Sequence, residues 1–532
     1  MSKRVTIFFA IFMCCMFLML MNLYSISTGN QLAETADRQS SYHLSVATTR
    51  GTIYDTNLTP LTGTEKEYVA AVIPTPESVS ALADVLPRKR MEEVYTLLTK
   101  GNPFLLKVPQ SVSAEGIRTF ETEKRYAQTE QPAANVIGYL DGSGTGVAGI
   151  EKAYQDFLSQ DQGEITVSYR VDAVNRVLPG EETEVIDTYQ KRNSGVVLTL
   201  DKDIQALAEQ AAEKHLKKGA VVVTEVPSGQ IRAMVSVPDF SPNDLQAALD
   251  DPDSPMLNRA ISAYSLGSVF KLVSAATALE NGVSPDTVFE CTGGINIGGG
   301  VYHCFNGKVH GKLDMQGAIV QSCNTYFVRL MQQVPNEDFL RMSKSLGFGQ
   351  TIPLAPGYGS SSGALPEPKE LLTPRALANF SFGQGRLTAT PVQVAGLMNA
   401  IAAKGEYVAP SLVQGLVDEN REYVDTAREP TPVRVMSQTT AALLRQFMGA
   451  AVEEGTGKKG RPLSGGAGAK TGTAQTGQFV DGREVVQGWY AGFYPLNNPR
   501  YSIVVLSEDA NGASDGAPVF QEIANGLLPK IN

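Results

Sequence analysis

Ser268-Val269-Phe270-Lys271 is the stretch of sequence that decides the fold, because it sets a hydroxyl and an amine at the start of an apolar helix pattern. Gly267 precedes the serine, and Asn281-Gly282 ends the helical pattern. Amide donors and the dipole at a helix N-terminus favour negative charge beside Ser268. Lys271 lies one turn further on the same face, and burial beside a second cation would let it lose its proton. The pair therefore indicates a serine nucleophile with a lysine base.

Two further triplets favour this interpretation over an ordinary N-cap serine followed by an exposed lysine. Ser322-Cys323-Asn324 ends a helix-like segment and offers a hydroxyl and an amide, which together can relay a proton and hold a substrate amide. Lys470-Thr471-Gly472 lies on a predicted strand, where its lysine and threonine can hold a carboxylate and its glycine lets a substrate backbone approach. The three motifs in this order indicate acyl transfer through a covalent acyl-enzyme.

The first 24 residues predict a membrane anchor. Lys3 and Arg4 precede a run from Val5 to Tyr24 that carries no charge, and about twenty residues at helical rise match a hydrocarbon core of ~30 Å. The positive flank predicts a single pass with a cytoplasmic N-terminus, which leaves the rest of the chain outside the cell. A signal peptide cleaved near Ser25-Ile26-Ser27 is the alternative, although its apolar region normally spans only about 7 to 15 residues.

The composition of the chain indicates packed domains and limits the kinds of partner and metal that we expect. The chain has 532 residues, of which 42% are hydrophobic and 19% charged, so it can form packed domains. Its net charge is -10 and no basic cluster stands out, which argues against nucleic acid as a partner. The histidines show no recognisable metal-ligand spacing, and we therefore expect no catalytic metal and no cofactor. They are His43, His215, His303 and His310.

Three cysteines follow the anchor, at Cys291, Cys304 and Cys323. Their odd number allows at most one internal bridge. Cys291 and Cys304 bracket a glycine-rich loop, which a disulfide between them would close in an oxidising exterior. Both would stay reduced in an anaerobic organism, and the sequence leaves these two states open.

The remaining chain divides by pattern into a stalk and two domains. Residues 25–49 are polar and predict a stalk, residues 50–190 mix short strands, helices and glycine turns, and residues 191–532 form the second domain. The second domain predicts one antiparallel sheet flanked by helices, with a helical insertion between its second and third strands. The predicted strands are 220–226, 230–237, a segment that begins at Lys470, 489–494 and 501–506.

The sequence resembles the monofunctional, class B penicillin-binding proteins over roughly residues 45 to 525. The resemblance implies the α+β fold of penicillin-binding proteins and serine β-lactamases, an N-terminal α+β pedestal at residues 50–190 and one transmembrane helix. One departure is Ser265-Leu266, where the family often has two prolines. Beyond the three motifs, the matching segments are Arg50-Gly51-Thr52-Ile53, Gly138-Tyr139, Gly149-Ile150-Glu151, Asn258-Arg259-Ala260, His310-Gly311, Gly383-Gln384-Gly385 and Thr390-Pro391.

The resemblance also implies a role for each motif residue. Ser268 would be the acylated nucleophile and Lys271 its general base. Ser322 and Asn324 would move the proton and bind the donor peptide. The backbone N–H groups of Ser268 and Thr473 would form the oxyanion hole. The strand residues that would bind the substrate are Lys470, Thr471, Gly472 and Thr473. Lys470 and Thr471 would bind the donor's terminal carboxylate.

The implied function is a peptidoglycan D,D-transpeptidase of cell-wall synthesis. Its donor would be a stem peptide that ends in D-Ala-D-Ala, its acceptor an amine on a neighbouring strand, and β-lactams its inhibitors. A separate membrane glycan polymerase is the expected partner, because the segment before the catalytic domain matches a pedestal rather than a glycosyltransferase domain. The alternatives are a D,D-carboxypeptidase or a β-lactam-hydrolysing enzyme of the same fold, and a non-catalytic β-lactam-binding scaffold.

Overall fold

The computed structural model describes residues 2–28, 40–160, 163–480, 482–510 and 515–531. Its helices, in chain order, are α1 (Ser2–Thr28), α2 (Pro76–Val85), α3 (Arg88–Lys100), α4 (Ala134–Ile137), α5 (Gly149–Ala153), α6 (Gln155–Leu158), α7 (Lys202–His215), α8 (Leu245–Asp250), α9 (Lys271–Glu280), α10 (Met315–Val320), α11 (Asn324–Met331), α12 (Asn336–Ser345), α13 (Pro374–Ser381), α14 (Pro391–Ala402), α15 (Gln438–Glu453) and α16 (Ala517–Ile531). Its strands, in chain order, are β1 (Ser41–Thr48), β2 (Thr52–Tyr54), β3 (Glu65–Val72), β4 (Phe104–Val108), β5 (Ile117–Lys124), β6 (Glu164–Arg170), β7 (Glu184–Asp187), β8 (Gly195–Leu198), β9 (Gly219–Glu225), β10 (Ile231–Val237), β11 (Tyr264–Ser265), β12 (Phe289–Cys291), β13 (Gly294–Ile297), β14 (Gly300–His303), β15 (Gly311–Leu313), β16 (Pro353–Ala355), β17 (Tyr358–Gly359), β18 (Thr388–Ala389), β19 (Glu406–Tyr407), β20 (Val413–Val417), β21 (Tyr423–Thr426), β22 (Val433–Arg434), β23 (Gly468–Val480), β24 (Arg483–Tyr494) and β25 (Tyr501–Ala510).

Helix α1 carries the apolar run at the N-terminus. Its segment Lys3–Ser27 has a mean hydropathy of 2.3, and none of it is buried within the protein. By length and composition this helix is a candidate membrane span, as the sequence predicts. The predicted stalk begins inside the same helix and continues through residues 29–39, which lie outside the described residues.

The chain forms two compact units that interleave along the sequence. The smaller unit comprises Met1–Arg50, Gly63–Arg125 and Ser159–Arg192. The larger unit comprises Gly51–Thr62, Tyr126–Leu158 and Asn193–Asn532. Two stretches from the predicted pedestal thus belong to the larger unit. The first of them contains strand β2, which pairs with β8 in a parallel ladder.

Two three-stranded sheets organise the smaller unit, with strand orders β1-β6-β7 and β4-β3-β5. Strand β1 lies within the segment predicted as a stalk, and it pairs with β6. Its apolar residues Tyr42, Leu44 and Val46 alternate, so they pack into one core while His43 and Ser45 are exposed. This short alternation explains why a segment that is polar on average still forms a strand.

The larger unit is built on a five-stranded sheet with the order β10-β9-β25-β24-β23. All four neighbouring pairs are antiparallel, which confirms the predicted sheet of one hairpin and three C-terminal strands. Alternate side chains of its central strands enter different cores. Val222 and Val504 pack into the core that contains α9, whereas Val221 and Val505 pack into the core that contains α7 and α16.

Helix α9 is the centre of the helical layer. Its residues from Leu272 to Ala278 are all buried, and it packs against α11, α12 and α15. Burial on every face shows that the fold surrounds this helix completely. Because Lys271 is the first residue of this helix, the same packing carries its side chain into the interior.

Candidate active site

Ser268 lies in a short 3-10 helix, Gly267–Phe270, that leads directly into α9. Gly267 has a φ of +61°, and a Cβ atom there would lie 2.5 Å from the carbonyl oxygen of Thr473. Its N–H donates to the carbonyl oxygen of Gly383 at 2.9 Å. Only glycine tolerates this approach, so the turn holds Ser268 close to strand β23 while leaving it partly exposed.

Lys271 is the centre of a hydrogen-bonded network. Its Nζ atom lies 2.9 Å from Ser268 Oγ, 2.6 Å from Asn324 Oδ1 and 3.2 Å from Ser322 Oγ. It also donates to the carbonyl oxygen of Ser322 at 2.6 Å. The lysine side chain is fully buried. The structure therefore brings together the four residues that the sequence analysis proposed as catalytic.

Burial lowers the pKa of Lys271 to about 7, although the nearby thiols of Cys323 and Cys304 act to raise it. An ammonium group that loses its hydration is disfavoured relative to the neutral amine. A large share of the Lys271 side chains is therefore uncharged near neutral pH. An uncharged amine at 2.9 Å from a hydroxyl is placed to accept its proton.

Ser322 connects the two lysines of the site. It occupies the turn between α10 and α11 with a φ of +55°, a left-handed conformation that is uncommon for serine. Its Oγ atom accepts a hydrogen bond from Lys470 Nζ at 2.8 Å, while Lys271 Nζ lies 3.2 Å away. A hydroxyl held between two amines can receive a proton from one neighbour and donate its own proton to a ligand.

Lys470 lies on β23, the edge strand of the sheet, and is also fully buried. Burial, followed by repulsion from Lys271, lowers the pKa of Lys470 well below its usual value. Two ammonium groups around one hydroxyl repel each other, so the second charge is disfavoured in the absence of an anion. A carboxylate placed beside Lys470 would favour its charged form.

The other residues of the strand motif, which is Lys470-Thr471-Gly472 followed by Thr473 on β23, have different surroundings. Thr471 Oγ1 donates to Thr456 Oγ1 at 2.9 Å, so its hydroxyl bonds outside the lysine network. A Cβ atom on Gly472 would lie 3.0 Å from the carbonyl oxygen of Leu266, so glycine lets the strand lie against the serine turn. Thr473 is partly exposed.

A cluster of side chains that the sequence analysis did not predict lies beside the Ser322-Cys323-Asn324 turn. Cys304 Sγ lies 3.6 Å from Cys291 Sγ and 3.7 Å from Cys323 Sγ, and the three thiols are free. Cys291 Sγ lies 3.3 Å from His310 Nδ1. The two cysteines considered for a disulfide are thus in contact without a covalent bond. No short motif reveals this group, since its members are spread over separate loops and strand ends.

A family model of the penicillin-binding protein transpeptidase domain matches residues 219–528. Penicillin-binding protein PbpB of Mycolicibacterium smegmatis is 31% identical over 75% of this chain and 64% of its own length. Peptidoglycan D,D-transpeptidase PbpA of the same organism is 32% identical over 62% of this chain and 71% of its own length.

The fold matches solved structures over nearly the whole chain. A crystal structure of penicillin-binding protein 3 from Mycobacterium tuberculosis, complexed with aztreonam, superposes with a TM-score of 0.66 at 26% sequence identity. The match covers 92% of this chain and 97% of that one. By contrast, the chain spans just under two thirds of the length of PbpB.

Proposed function

The chain belongs to the penicillin-binding protein transpeptidase family, and we propose that it is a peptidoglycan D,D-transpeptidase that acts through an acyl-enzyme on Ser268. The observation that carries the proposal is the position of Lys271 Nζ, within 3.2 Å of side-chain oxygens from Ser268, Ser322 and Asn324. A buried amine with a lowered pKa, bonded to one hydroxyl beside a second one, supports proton transfer in both directions.

In the acylation step, neutral Lys271 takes the proton of Ser268 Oγ. The oxygen attacks the carbonyl carbon of the penultimate D-alanine, and the backbone N–H groups of Ser268 and Thr473 bind the resulting oxyanion. Donors of this kind are worth about 2.7–4 kcal/mol each in the transition state. The C–N bond to the terminal D-alanine then breaks. Its nitrogen receives a proton from Ser322 Oγ, which is reprotonated by Lys271.

In the transfer step, the amine of an acceptor strand attacks the ester carbonyl of the acyl-enzyme. Its proton passes through Ser322 to Lys271 and finally to Ser268 Oγ as the ester bond breaks. Asn324 holds the donor peptide through its side-chain amide. The products of the cycle are free D-alanine, the cross-linked peptide and the regenerated Ser268 hydroxyl, and Lys271 returns to its neutral form.

The strand motif binds the donor's terminal carboxylate. Lys470 is buried and its charge is disfavoured without an anion, so an arriving carboxylate supplies the negative charge that stabilises the ammonium form. Thr471 exchanges its bond with Thr456 for one to the same carboxylate, and Gly472 leaves room for the peptide backbone. A β-lactam carries a comparable carboxylate and acylates the same Ser268.

The enzyme is a single-pass membrane protein that acts outside the cell. Lys3 and Arg4 keep the start of α1 in the cytoplasm, and the following residues emerge on the other side. The part of the smaller compact unit that follows α1 belongs to the pedestal, whose surfaces serve a membrane partner that polymerises glycan strands. This chain then cross-links strands that the polymerase makes.

The test uses the full-length protein in detergent with lipid-linked precursor. The protein alone should yield no polymer, and a separate glycan polymerase added to it should yield cross-linked product together with released D-alanine. Ser268→Ala should abolish cross-linking, whereas Ser284→Ala, which removes an exposed hydroxyl, should leave it unchanged. Release of D-alanine without cross-links would instead support a carboxypeptidase, and glycan polymer formed by this chain alone would contradict the assignment of the smaller unit.

A further inference from the structure

Four potential metal ligands converge beside the Ser322-Cys323-Asn324 turn. The sulfur atoms of three cysteines and a ring nitrogen of one histidine all lie within 4.8 Å of one another. The cysteines are exposed by at most 2%, and the histidine is partly buried. These residues, called the thiol cluster below, are Cys291, Cys304, His310 and Cys323.

The spacing of the thiol cluster matches tetrahedral coordination of one ion. Zinc bonds of about 2.3 Å to sulfur and about 2.0 Å to nitrogen place neighbouring sulfurs about 3.8 Å apart and sulfur and nitrogen about 3.5 Å apart. Two of the three sulfur separations are 3.6 and 3.7 Å, Cys291 Sγ lies 3.3 Å from His310 Nδ1, and every other pair of ligand atoms lies within 4.8 Å. A disulfide joins only two sulfurs, at about 2.05 Å, and leaves the convergence of the third thiol and the imidazole without a cause.

The chemistry of the four ligands selects the metal. Three thiolates and one imidazole form a closed set typical of structural zinc, which leaves no position for a substrate or water. Thr325 Oγ1 lies 3.3 Å from Cys323 Sγ and 3.8 Å from Cys304 Sγ, where its hydroxyl can support thiolate ligands. Calcium and magnesium prefer oxygen ligands, so they do not fit the cluster.

Two ligands flank residues of the catalytic network. Cys323 stands between Ser322 and Asn324, and Cys304 follows His303, whose carbonyl oxygen accepts a hydrogen bond from Asn324 Nδ2 at 2.8 Å. Lys271 in turn donates to Asn324 Oδ1 at 2.6 Å. An ion that binds both cysteines would therefore fix the two backbone segments that orient Asn324.

We propose that the thiol cluster is a structural zinc site that holds the Ser322-Cys323-Asn324 turn in its catalytic conformation. The left-handed φ of Ser322 is uncommon for a residue with a side chain, so the turn needs support from its surroundings. The ion joins four separate chain positions around this turn. It takes no part in acyl transfer, since the four ligands complete its coordination.

The test of metal binding uses the full-length protein without a polyhistidine tag, purified in detergent without chelators. Elemental analysis should give about one zinc per chain. Cys291→Ser and His310→Gln should each remove most of this zinc, whereas Cys14→Ser and His303→Gln should retain it. Cys14 lies in α1 and His303 is an exposed neighbour of the cluster, so they control for general effects of losing a thiol or an imidazole.

The visible spectrum of bound cobalt tests the site in the wild-type protein, so this measurement depends neither on enzyme activity nor on whether a variant folds. Wild-type protein in which cobalt(II) replaces zinc should show the visible bands of tetrahedral thiolate coordination. Metal content below about one tenth per chain would overturn the proposal, as would a Cys304–Cys323 or Cys291–Cys304 disulfide in the intact mass of protein kept from reductants. Retention of zinc by both ligand variants would also overturn it.

The supporting role of the ion rests on the proposed function and is tested separately. Removal of zinc with a strong chelator and a reductant should slow acylation by fluorescent penicillin about tenfold or more, and zinc alone should restore the rate. If the purified protein carries a full complement of zinc and its acylation rate does not fall once the zinc is removed, the supporting role is overturned. Zinc bound by the four ligands in a protein that penicillin never acylates would instead count against the proposed function.

Discussion

The two sides of the Ser322-Cys323-Asn324 turn differ in the chemistry that they offer. Ser322 and Asn324 contact the buried amine of Lys271 through oxygen atoms, in a network that lies next to the partly exposed Ser268. Cys323 contacts another thiol and a threonine hydroxyl in a fully buried setting. Within one triplet, Ser322 and Asn324 thus belong to the reactive lysine network, whereas Cys323 belongs to a buried group of thiols that is suited to a structural role.

This difference shows how a motif can conceal a second function. The catalytic interpretation of the triplet assigns roles only to Ser322 and Asn324, so a search for catalytic residues passes over Cys323. Its contacts become visible only when the loops that bear the other thiols are folded against it. The catalytic side and the thiol side of the turn should therefore respond separately to substitution.

The largest effect is expected for Lys271→Met, which keeps the volume of the buried chain and removes the base. Acylation by penicillin should fall by about three orders of magnitude, because Lys271 Nζ makes the one hydrogen bond to the Ser268 hydroxyl that is found among the described residues. The bound zinc should be retained. Stopped-flow labelling and elemental analysis measure the two quantities on one preparation.

The control for this variant is Lys344→Met, which changes an exposed lysine of α12. It should leave both the acylation rate and the zinc content unchanged. An acylation rate for Lys271→Met within a factor of about ten of wild type would contradict its role as general base.

A smaller effect is expected for Asn324→Ala, because Asn324 links the two sides of the turn. The change removes the bond from Lys271 and the bond to the His303 carbonyl oxygen, and acylation should fall about 10- to 100-fold. Zinc content should stay at the wild-type level, since none of the four ligands is altered. Asn420→Ala, at an exposed position, is the matched control. Loss of zinc together with acylation would show that the two sides of the turn do not separate.

The smallest effect concerns pH. The pKa of Lys271 is lowered to about 7, so its neutral fraction rises about tenfold from pH 6 to pH 8. The acylation rate should rise by the same factor and then level off, because the neutral form is the one that accepts the serine proton. A series of labelling rates across this range measures the apparent pKa. A rate that falls over the same interval would contradict a base at Lys271.

The sequence predicted the parts of the molecule whose signals are local. The antiparallel sheet follows from short apolar strands, and the catalytic network follows from Ser268, Lys271 and two triplets with defined spacing. In the part of the chain that the structure describes, strand β1 escaped prediction because only three alternating apolar residues mark it. The interleaving of the two compact units depends on pairing between distant segments, which no local pattern encodes.

The thiol cluster escaped prediction for a related reason. Its ligands come from the end of β12, the residue after β14, the residue before β15 and the residue before α11. Known zinc motifs pair two cysteines separated by about two to four residues or two histidines separated by about three to five residues, and the thiol cluster contains no such pair. Their proximity is a property of the folded loops, so only the structure could reveal it.

The proposed mechanism depends on Ser268 as the acylated residue, and mass spectrometry tests this role most directly. The full-length protein is treated with penicillin, digested, and searched for the peptide that carries the acyl group. We expect one modified residue, Ser268, and complete loss of the adduct in Ser268→Ala. An adduct on any other residue, or labelling that persists in Ser268→Ala, would contradict it.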